Sequence, residues 1–243
     1  MKAIILAAGT ASRLRPLTND TPKCLLRIGE RNLLERSIDA LVANGISDIV
    51  IVTGYLHEKI EDFVSRQYPT LQVSYIYNKV YATTNNIYSL WLARPEADGR
   101  EVLLLDSDLL YDPTIISEVL GSPAANVLTL IKHPLGEEEM KVVTDSEGKI
   151  LEINKTCSPA LAIGESLGIE KMGTDYTSAL YRELEQMMLH EGLSNIFYER
   201  AFERLIPQGH TFRVLDVTHL FSCELDTVED FNNARQLIPP TLY

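Results

Sequence analysis

Short apolar runs alternate with helical patterns over the first 108 residues, and this alternation constrains the fold most strongly. Continuous apolar runs predict buried strands at residues 3–8, 49–52 and 102–105, and Val73-Ser-Tyr-Ile-Tyr77 is predicted as a further strand. Apolar residues at helical spacing predict helices between them, around residues 34–42, 60–64 and 86–94. This order predicts an α/β, Rossmann-like, doubly wound, mostly parallel mixed sheet with helices on both faces. Ligands of such sheets bind at the carboxyl ends of the strands.

The pattern changes after residue 125. We predict a strand at 127–131, a small β-hairpin formed by 142–143 and 150–153, and a short strand at 167–169. We also predict helices at 177–190, 196–205 and 227–237 and a strand at 212–215. No linker-like composition separates the halves, so we expect one domain over 1–243. Residues 1–125 would form one half of this domain, and residues 126–243 a second half that supplies a lid over the carboxyl edge of the sheet.

Charge and composition limit the function classes. The net charge of −12 makes nucleic acid a poor partner. Residues 1–31, however, contain six basic residues against two acidic ones, which favours capture of a small anion. The three cysteines have no C-x-x-C spacing, and no apolar run approaches the ~20 residues of a membrane span. We therefore expect a cytoplasmic protein with no membrane partner.

The loop after the first strand is rich in small residues and is followed by basic ones. Gly9 to Ser12 would expose backbone N–H groups, and Arg13, Arg15 and Lys23 follow. Free N–H groups and fixed cations suit a polyphosphate. Taken singly, each of these residues is more typical of a solvated edge loop.

Two acidic positions follow predicted strands. Asp106-Ser107-Asp108 comes directly after a buried strand, and Asp226 precedes the last helix. Carboxylates at the ligand edge can hold Mg²⁺, although each could instead be a helix cap or a solvated loop residue. Lys155 follows the hairpin and could simply be a solvated strand end.

The first 26 residues resemble the signature of nucleotidyltransferases that activate sugar and alcohol phosphates, L-A-A-G-x-G-x-R-L-x-P-L-T…P-K. Ala11 replaces the second glycine, which puts the loop's conformation in question. The resemblance implies that Asp108 and Asp226 bind Mg²⁺, with Asp106 as a supporting neighbour. It also implies catalytic roles for Arg13, Lys23 and Lys155, the last as the lysine that reaches the acceptor's phosphate.

Two further segments resemble bacterial choline-phosphate cytidylyltransferases and cytidylyltransferases for small alcohol phosphates. Residues 77–92 contain their N-N-x-Y-S-L core, and residues 164–171 match G-E-x-x-G-I-x-K. The resemblance implies transfer of CMP from CTP to phosphocholine or a related aminoalkyl phosphate or phosphonate. The alternatives are a sugar-1-phosphate nucleotidylyltransferase using UTP, dTTP or GTP, and a catalytically silent nucleotide sensor. The sequence does not determine the oligomeric state, and a homodimer is one possibility.

The resemblance makes residues 1–125 the nucleotide-binding half and residues 126–243 the acceptor-binding half with the lid. Two sets of site residues are expected. The expected nucleotide site comprises Leu6, Ala7, Ala8, Gly9, Thr10, Ala11, Ser12, Arg13, Thr53, Gly54, Thr83, Asn85, Asn86, Ser89 and Asp106. The expected acceptor site comprises Tyr81, Tyr88, Trp91, Glu165, Asp175 and Tyr176, because aromatic faces and carboxylates suit a cationic head group. Tyr88 and Trp91 could equally be core residues of one helix, and Asp175 a helix cap.

Overall fold

The computed structural model describes residues 1–242 of the chain. Its strands are β1 (Lys2–Ala7), β2 (Arg27–Ile28), β3 (Arg31–Asn32), β4 (Ile49–Thr53), β5 (Val73–Tyr77), β6 (Val102–Asp106), β7 (Leu109–Tyr111), β8 (Val127–Ile131), β9 (Lys141–Thr144), β10 (Ile150–Asn154), β11 (Gly164–Met172), β12 (Arg213–Asp216) and β13 (Ser222–Glu224). Its α-helices are α1 (Leu33–Ala43), α2 (His57–Gln67), α3 (Asn86–Leu92), α4 (Arg94–Ala97), α5 (Thr114–Gly121), α6 (Thr174–Glu185), α7 (Glu199–Leu205) and α8 (Val228–Leu237).

Nine strands form the central sheet, in the order β10-β9-β11-β6-β1-β4-β5, with β8 paired to β11 and β12. The pairs β1–β4, β1–β6, β4–β5 and β8–β12 are parallel. Strand β11 runs antiparallel to β6, β8 and β9, and β10 runs antiparallel to β9. Seven of the nine strands therefore point in one direction, and β10 and β11 point in the other. The sheet is mixed with mostly parallel strands, which confirms the predicted fold class.

Both faces of the sheet are covered because its central strands are apolar on both sides. In β1, Ile4 and Leu6 pack into one core with residues of α3, α6 and α7, while Ala3 and Ile5 pack into another with α1, α2 and α5. Alternate residues of a strand point to opposite faces, so a continuous apolar run supplies two cores at once. A third, smaller core packs α8 against β2 and Leu110 of β7.

Strand β11 is longer than the predicted strand at 167–169 and runs in the opposite direction to β6. Ile169 pairs with Leu105 near the carboxyl end of β6, whereas Met172 pairs with Val102 at its amino end. The beginning of β11 therefore lies at the edge of the sheet where ligands are expected. The helix that follows it, α6, starts at the opposite edge.

The sequence patterns did not predict the two-stranded sheet formed by β7 and β13. These strands have three residues each and pair Glu224 with Leu109 in antiparallel register. The backbone N–H of Leu225 also donates to the carbonyl of Asp108, at 3.1 Å. This small sheet joins residues more than 100 positions apart at the carboxyl end of β6.

Within residues 1–242, every helix is too short or too polar to cross a bilayer.

Candidate active site

A cleft of about 470 Å³ opens at the carboxyl ends of β1 and β6. Most of the predicted site residues line it, namely Leu6, Ala7, Ala8, Gly9, Ala11, Arg13, Lys23, Tyr81, Asn85, Asn86, Ser89, Asp106, Asp108, Lys155, Glu165 and Asp226. Residues from both halves of the chain contribute, since β11 and β13 reach the same edge as β1 and β6. One cleft thus contains the small-residue loop, the basic residues and the carboxylates.

The loop after β1 leaves space for a ligand. An added Cβ at Gly9 would meet no atom within 4 Å, and the backbone there does not need glycine for its φ. The loop is supported from behind by Gly54, whose added Cβ would lie 2.5 Å from the Ala8 carbonyl oxygen. Ala11 has φ 46° and ψ 48°, the left-handed conformation that favours glycine. The loop therefore keeps a glycine-type conformation although alanine replaces the second glycine.

Lys23 connects the two predicted metal carboxylates. Its Nζ donates to Asp108 Oδ2 at 2.8 Å and to Asp226 Oδ1 at 2.7 Å. Arg13, which is largely exposed, donates to the other oxygen of Asp226. The first loop and the two acidic positions are thus held together by ion pairs across the cleft.

A third carboxylate, Glu224, completes this cluster and was missed in the sequence. One oxygen each from Asp108, Glu224 and Asp226 lies within 4.8 Å of the others. Glu224 and Asp226 are two residues apart at the end of β13, and that alternation in Cys223-Glu-Leu-Asp226 was the available signal. Without knowledge of the three-residue strand, the spacing alone did not distinguish Glu224 from a solvated residue.

Opposing charges shift the pKa values of this cluster. Burial alone would lower the pKa of Lys23, but Asp108 and Asp226 outweigh it and raise that pKa. Burial likewise acts to raise the pKa of Asp226, yet Lys23 and Arg13 lower it. Burial, followed by repulsion from Asp108 and Asp226, raises the pKa of Glu224 to about 8. A further positive charge would therefore stabilise the ionised form of Glu224.

The donor set fits a divalent cation such as Mg²⁺. Asp108 Oδ1 is buried and has no hydrogen-bond partner among residues 1–242. Magnesium prefers carboxylate oxygens together with substrate phosphates. Asp108, Glu224 and Asp226 supply such oxygens beside the loop that would hold the phosphates.

The Asn85-Asn86 pair organises one wall of the cleft. The side-chain oxygen of Asn85 accepts from the backbone N–H of Asn86 at 2.8 Å and caps α3. The side-chain oxygen of Asn86 accepts from the backbone N–H of Tyr198 at 3.0 Å and so holds the start of α7 against α3. Asn78, also missed in the sequence, is buried and donates to Ser89 at 3.1 Å.

Lys155 and several carboxylates also line the cleft, close to the start of α7. Lys155 Nζ lies 4.7 Å from the ring centroid of Phe197, and its carbonyl oxygen accepts from the buried Lys141 ammonium at 2.6 Å. Glu165 is half-buried and contacts His133 Nε2 at 2.7 Å. Glu199, which the sequence patterns did not indicate, also lines the cleft.

Three predicted acceptor residues do not line the cleft, because of the direction of β11 or because they pack in the core. Tyr176 is 1% exposed and packs against Phe202 and Phe212 in the core, so it does not line the cleft as expected. Asp175 is exposed at the start of α6, at the opposite edge of the sheet. Trp91 packs against the core, as its helical spacing with Tyr88 allowed.

The remaining expected residues lie near the cleft without lining it: Thr10, Ser12, Thr53, Gly54, Thr83 and Tyr88. Thr53 is fully buried at the end of β4, and Thr83 is exposed and donates to the carbonyl of Val80. Thr84, one residue further, lines the cleft instead. Thr53 and Gly54 therefore act on the site through the packing of the first loop.

The fold and the cleft define a class of protein. The family model described as nucleotidyl transferase matches residues 2–129, slightly more than half of the chain. The protein belongs to the nucleotidyl transferase family, which confirms the resemblance found in the sequence.

Among curated proteins, the chain is 43% identical to the choline-phosphate cytidylyltransferase of Streptococcus pneumoniae over 109 residues, which are 45% of this chain and 46% of that protein. It is 27% identical to the CMP-5'-(3-aminopropyl)phosphonate synthase of Streptomyces rubellomurinus over 96% of this chain and 38% of that protein. These alignments thus span less than half the length of either relative. The choline-phosphate cytidylyltransferase of Haemophilus influenzae is 28% identical over 99% of this chain and 98% of its own length.

A solved structure of the CTP:phosphocholine cytidylyltransferase from Streptococcus pneumoniae shares the fold, with a TM-score of 0.82. It is 24% identical in sequence and covers 98% of this chain and 99% of that one.

Proposed function

We propose that this protein is a Mg²⁺-dependent cytidylyltransferase that transfers CMP from CTP to a small phosphorylated alcohol or phosphonate with a cationic head, releasing pyrophosphate. The observation that carries the proposal is the single cleft in which the Gly9 loop, Lys23 and the carboxylates of Asp108, Glu224 and Asp226 meet. The curated relatives that are named cytidylyltransferases support CTP as the donor.

In this proposal the loop of residues 8–13 binds the triphosphate. Its backbone N–H groups and the open space beside Gly9 allow close approach of phosphate oxygens. Lys23 and Arg13 neutralise charge on the phosphates once they exchange their carboxylate partners for the nucleotide. The base would lie toward Tyr81, Asn85 and Asn86, at the wall held by α3.

The reaction is attack of a phosphate or phosphonate oxygen of the acceptor on the α-phosphorus of CTP. A new P–O bond forms, and the bond to the β-phosphate oxygen breaks to release pyrophosphate. The second pKa of a phosphomonoester is about 6, so the nucleophile is already largely anionic at pH 7 and needs no general base.

Repulsion between the two anionic substrates is then the main barrier. Two unit charges about 4 Å apart interact by about 4 kcal/mol at an effective dielectric of 20, so several positive groups are required. Asp108, Glu224 and Asp226 would hold Mg²⁺, which supplies positive charge to the phosphates when bound. Lys155, which lines the same cleft, would bind the acceptor's phosphate and align it with Lys23 and the loop.

We call the lining residues Lys155, Phe197, Glu165 and Glu199 the acceptor wall, and its carboxylates support a cationic head group. Glu165 and Glu199 are carboxylates that line the cleft, as Lys155 and Asp106 do. An anionic alcohol phosphate such as glycerol phosphate lacks the positive charge that would offset this wall. The names of the relatives, which include choline phosphate and an aminopropylphosphonate, agree with that chemistry.

A matrix of nucleotides and acceptors tests the proposal. Purified protein with Mg²⁺ is mixed with CTP, UTP, dTTP or GTP and with aminoalkyl phosphates, glycerol phosphate or glucose-1-phosphate, and pyrophosphate release is measured. We expect kcat/KM for CTP with an aminoalkyl phosphate to exceed that of any sugar-phosphate pair by at least ~10-fold. Faster turnover of glucose-1-phosphate would show a sugar nucleotidylyltransferase. Nucleotide binding without pyrophosphate release in any mixture would show a sensor.

A further inference from the structure

The acceptor wall lacks the aromatic cage that a quaternary ammonium group prefers. Trp91 and Tyr176 pack in the core, and among residues 1–242 the aromatic rings that line the cleft are those of Tyr81 and Phe197. The face of Phe197 is already covered by the Lys155 ammonium at 4.7 Å. A trimethylammonium group has no N–H donor and binds mainly through aromatic faces, so this wall offers it little.

The same wall contains a buried carboxylate without a donor. Glu199 is 7% exposed, lines the cleft at the start of α7, and its Oε2 has no hydrogen-bond partner within the described residues. Glu170 is fully buried, and its Oε2 also has no hydrogen-bond partner among these residues. Asp106 differs, since it accepts from the Tyr198 hydroxyl at 3.0 Å. Buried acceptors are nearly always paired in folded proteins, so Glu199 lacks a donor that a ligand could supply.

The position of Glu199 is set by the structure around it. The Asn86 side chain holds the backbone N–H of Tyr198, the residue directly before Glu199. Lys155 is close enough to act against the rise in the pKa of Glu199 that burial causes. The Glu199 carboxylate is therefore held near Lys155, which would bind the acceptor's phosphate. A small molecule with a phosphate and an ammonium group could contact both residues at once.

We propose that the acceptor carries a primary ammonium group, which donates a hydrogen bond to Glu199, and that Glu199 selects such acceptors over their trimethylammonium analogues. This inference rests on the proposed function. A primary ammonium has three donors, whereas a quaternary one has none. A site built to hydrogen-bond a substrate N–H rejects an analogue without it, because the buried acceptor is left unpaired.

The test compares three phosphate esters that differ only in the head group: 2-aminoethyl phosphate, phosphocholine and ethyl phosphate. With saturating CTP and Mg²⁺, we expect kcat/KM for 2-aminoethyl phosphate to exceed that for phosphocholine by about 10-fold or more. Glu199→Gln should lower kcat/KM for 2-aminoethyl phosphate about 10-fold, mainly through KM, and change ethyl phosphate less than about threefold. Glu199→Asp, which keeps the charge, should retain more of the preference than Glu199→Gln.

Glu58→Gln is the matched control, because Glu58 is an exposed carboxylate on α2. It should leave all three values unchanged, and thermal unfolding of each variant checks that the fold is retained. A wild-type preference for phosphocholine, or an equal loss for all three esters in Glu199→Gln, would overturn the inference while CMP transfer stands. Absence of pyrophosphate release with every ester would contradict the proposed function itself.

Discussion

At the scale of single residues, Lys23 shows how one cation can serve two states of a site. Its ammonium is held between Asp108 and Asp226, which raise its pKa and keep it charged. Without a nucleotide it neutralises carboxylates, and in the proposed reaction it neutralises phosphates. The same side chain thus supports the folded cleft and the transfer step.

Replacing Lys23 by alanine should therefore reduce turnover by roughly 100-fold or more, since a preorganised charge at the phosphates is lost. Pyrophosphate release measures the effect, and circular dichroism checks the fold. Lys149→Ala is the control, because Lys149 lies on an exposed hairpin and pairs with Glu147. Near-normal turnover in folded Lys23→Ala protein would contradict the phosphate-binding role.

Ala11 is a residue whose backbone conformation favours a different amino acid. The left-handed φ of 46° destabilises the folded state by roughly 1–2 kcal/mol when the residue is not glycine. A glycine would avoid this strain, but it would stabilise the unfolded chain by roughly 0.4–1 kcal/mol through added conformational entropy. Ala11→Gly should thus raise the free energy of unfolding by about 0.5–1 kcal/mol. Ala43→Gly, at an exposed helical position of α1, should lower it. Urea unfolding of both variants measures the difference, and destabilisation by Ala11→Gly would contradict the argument.

The pKa of the Glu199 carboxyl group makes the stability of the folded protein depend on pH. Burial raises its pKa to about 7 from an ordinary value of 4.5, against the effect of Lys155. Carboxyl groups from β6 and β11, Asp106 and Glu170, also have raised pKa values, with burial as the first cause. Between pH 4.5 and 7 the folded state therefore holds a proton at Glu199 that the unfolded state has released, so stability falls as pH rises through this window.

Replacing Glu199 by glutamine should remove its part of this pH dependence. We expect the variant to gain stability relative to wild type as the pH rises from 5 to 8, by on the order of a few kcal/mol. Urea unfolding at several pH values measures the gain. A stability difference that does not change with pH would show that Glu199 is ionised in the folded protein throughout.

At the scale of elements, β11 explains why residues 164–171 form a recognisable segment. The strand is irregular between Ser166 and Glu170, and Gly168 sits there with φ +79°. An added Cβ at Gly168 would lie 2.8 Å from Asp106 Oδ2. Glycine at this position therefore allows the start of β11 to pass directly beside the carboxylate at the end of β6.

Gly168→Ala should be more damaging than the strain of its φ alone explains. Gly148→Ala is the matched control, since Gly148 has φ +77° and open space around it. Both variants should lose roughly 1–2 kcal/mol from backbone strain, and Gly168→Ala should lose at least about 1 kcal/mol more and most of its activity, because Asp106 must move. Equal losses in unfolding and in pyrophosphate release would contradict the contact.

At the scale of the whole molecule, the site depends on pairing between distant parts of the chain. Strands β7 and β13 bring Asp108 beside Glu224 and Asp226, and Lys23 joins them from the first loop. These groups belong to one charge cluster. Their contributions to activity should therefore not be independent.

Asp108→Asn and Asp226→Asn should each abolish most activity, and the double variant should be little worse than either single one. Two ligands of one ion act as a unit, so the second loss removes little. A double-mutant cycle on pyrophosphate release measures this coupling, and Mn²⁺ binding in the absence of nucleotide tests the cluster directly. Small additive effects would show that the carboxylates do not share a metal.

The sequence by itself determined the elements of the central sheet and the positions at its ligand edge. Continuous apolar runs such as β1 can be buried only between two layers, and Gly9, Lys23 and Asp108 follow strand ends that must meet at one edge. These are local properties of pattern and spacing. They required no knowledge of which distant segments pair.

Only the tertiary structure decided which residues of the second half reach that edge. The direction of β11 placed Glu165 in the cleft and Asp175 at the opposite edge, and core packing removed Tyr176. The β7–β13 pair and the start of α7 added Glu224 and Glu199. Long-range pairing determines whether three-residue strands such as β7 and β13 form, and in which direction β11 runs. Local periodicity does not encode that pairing.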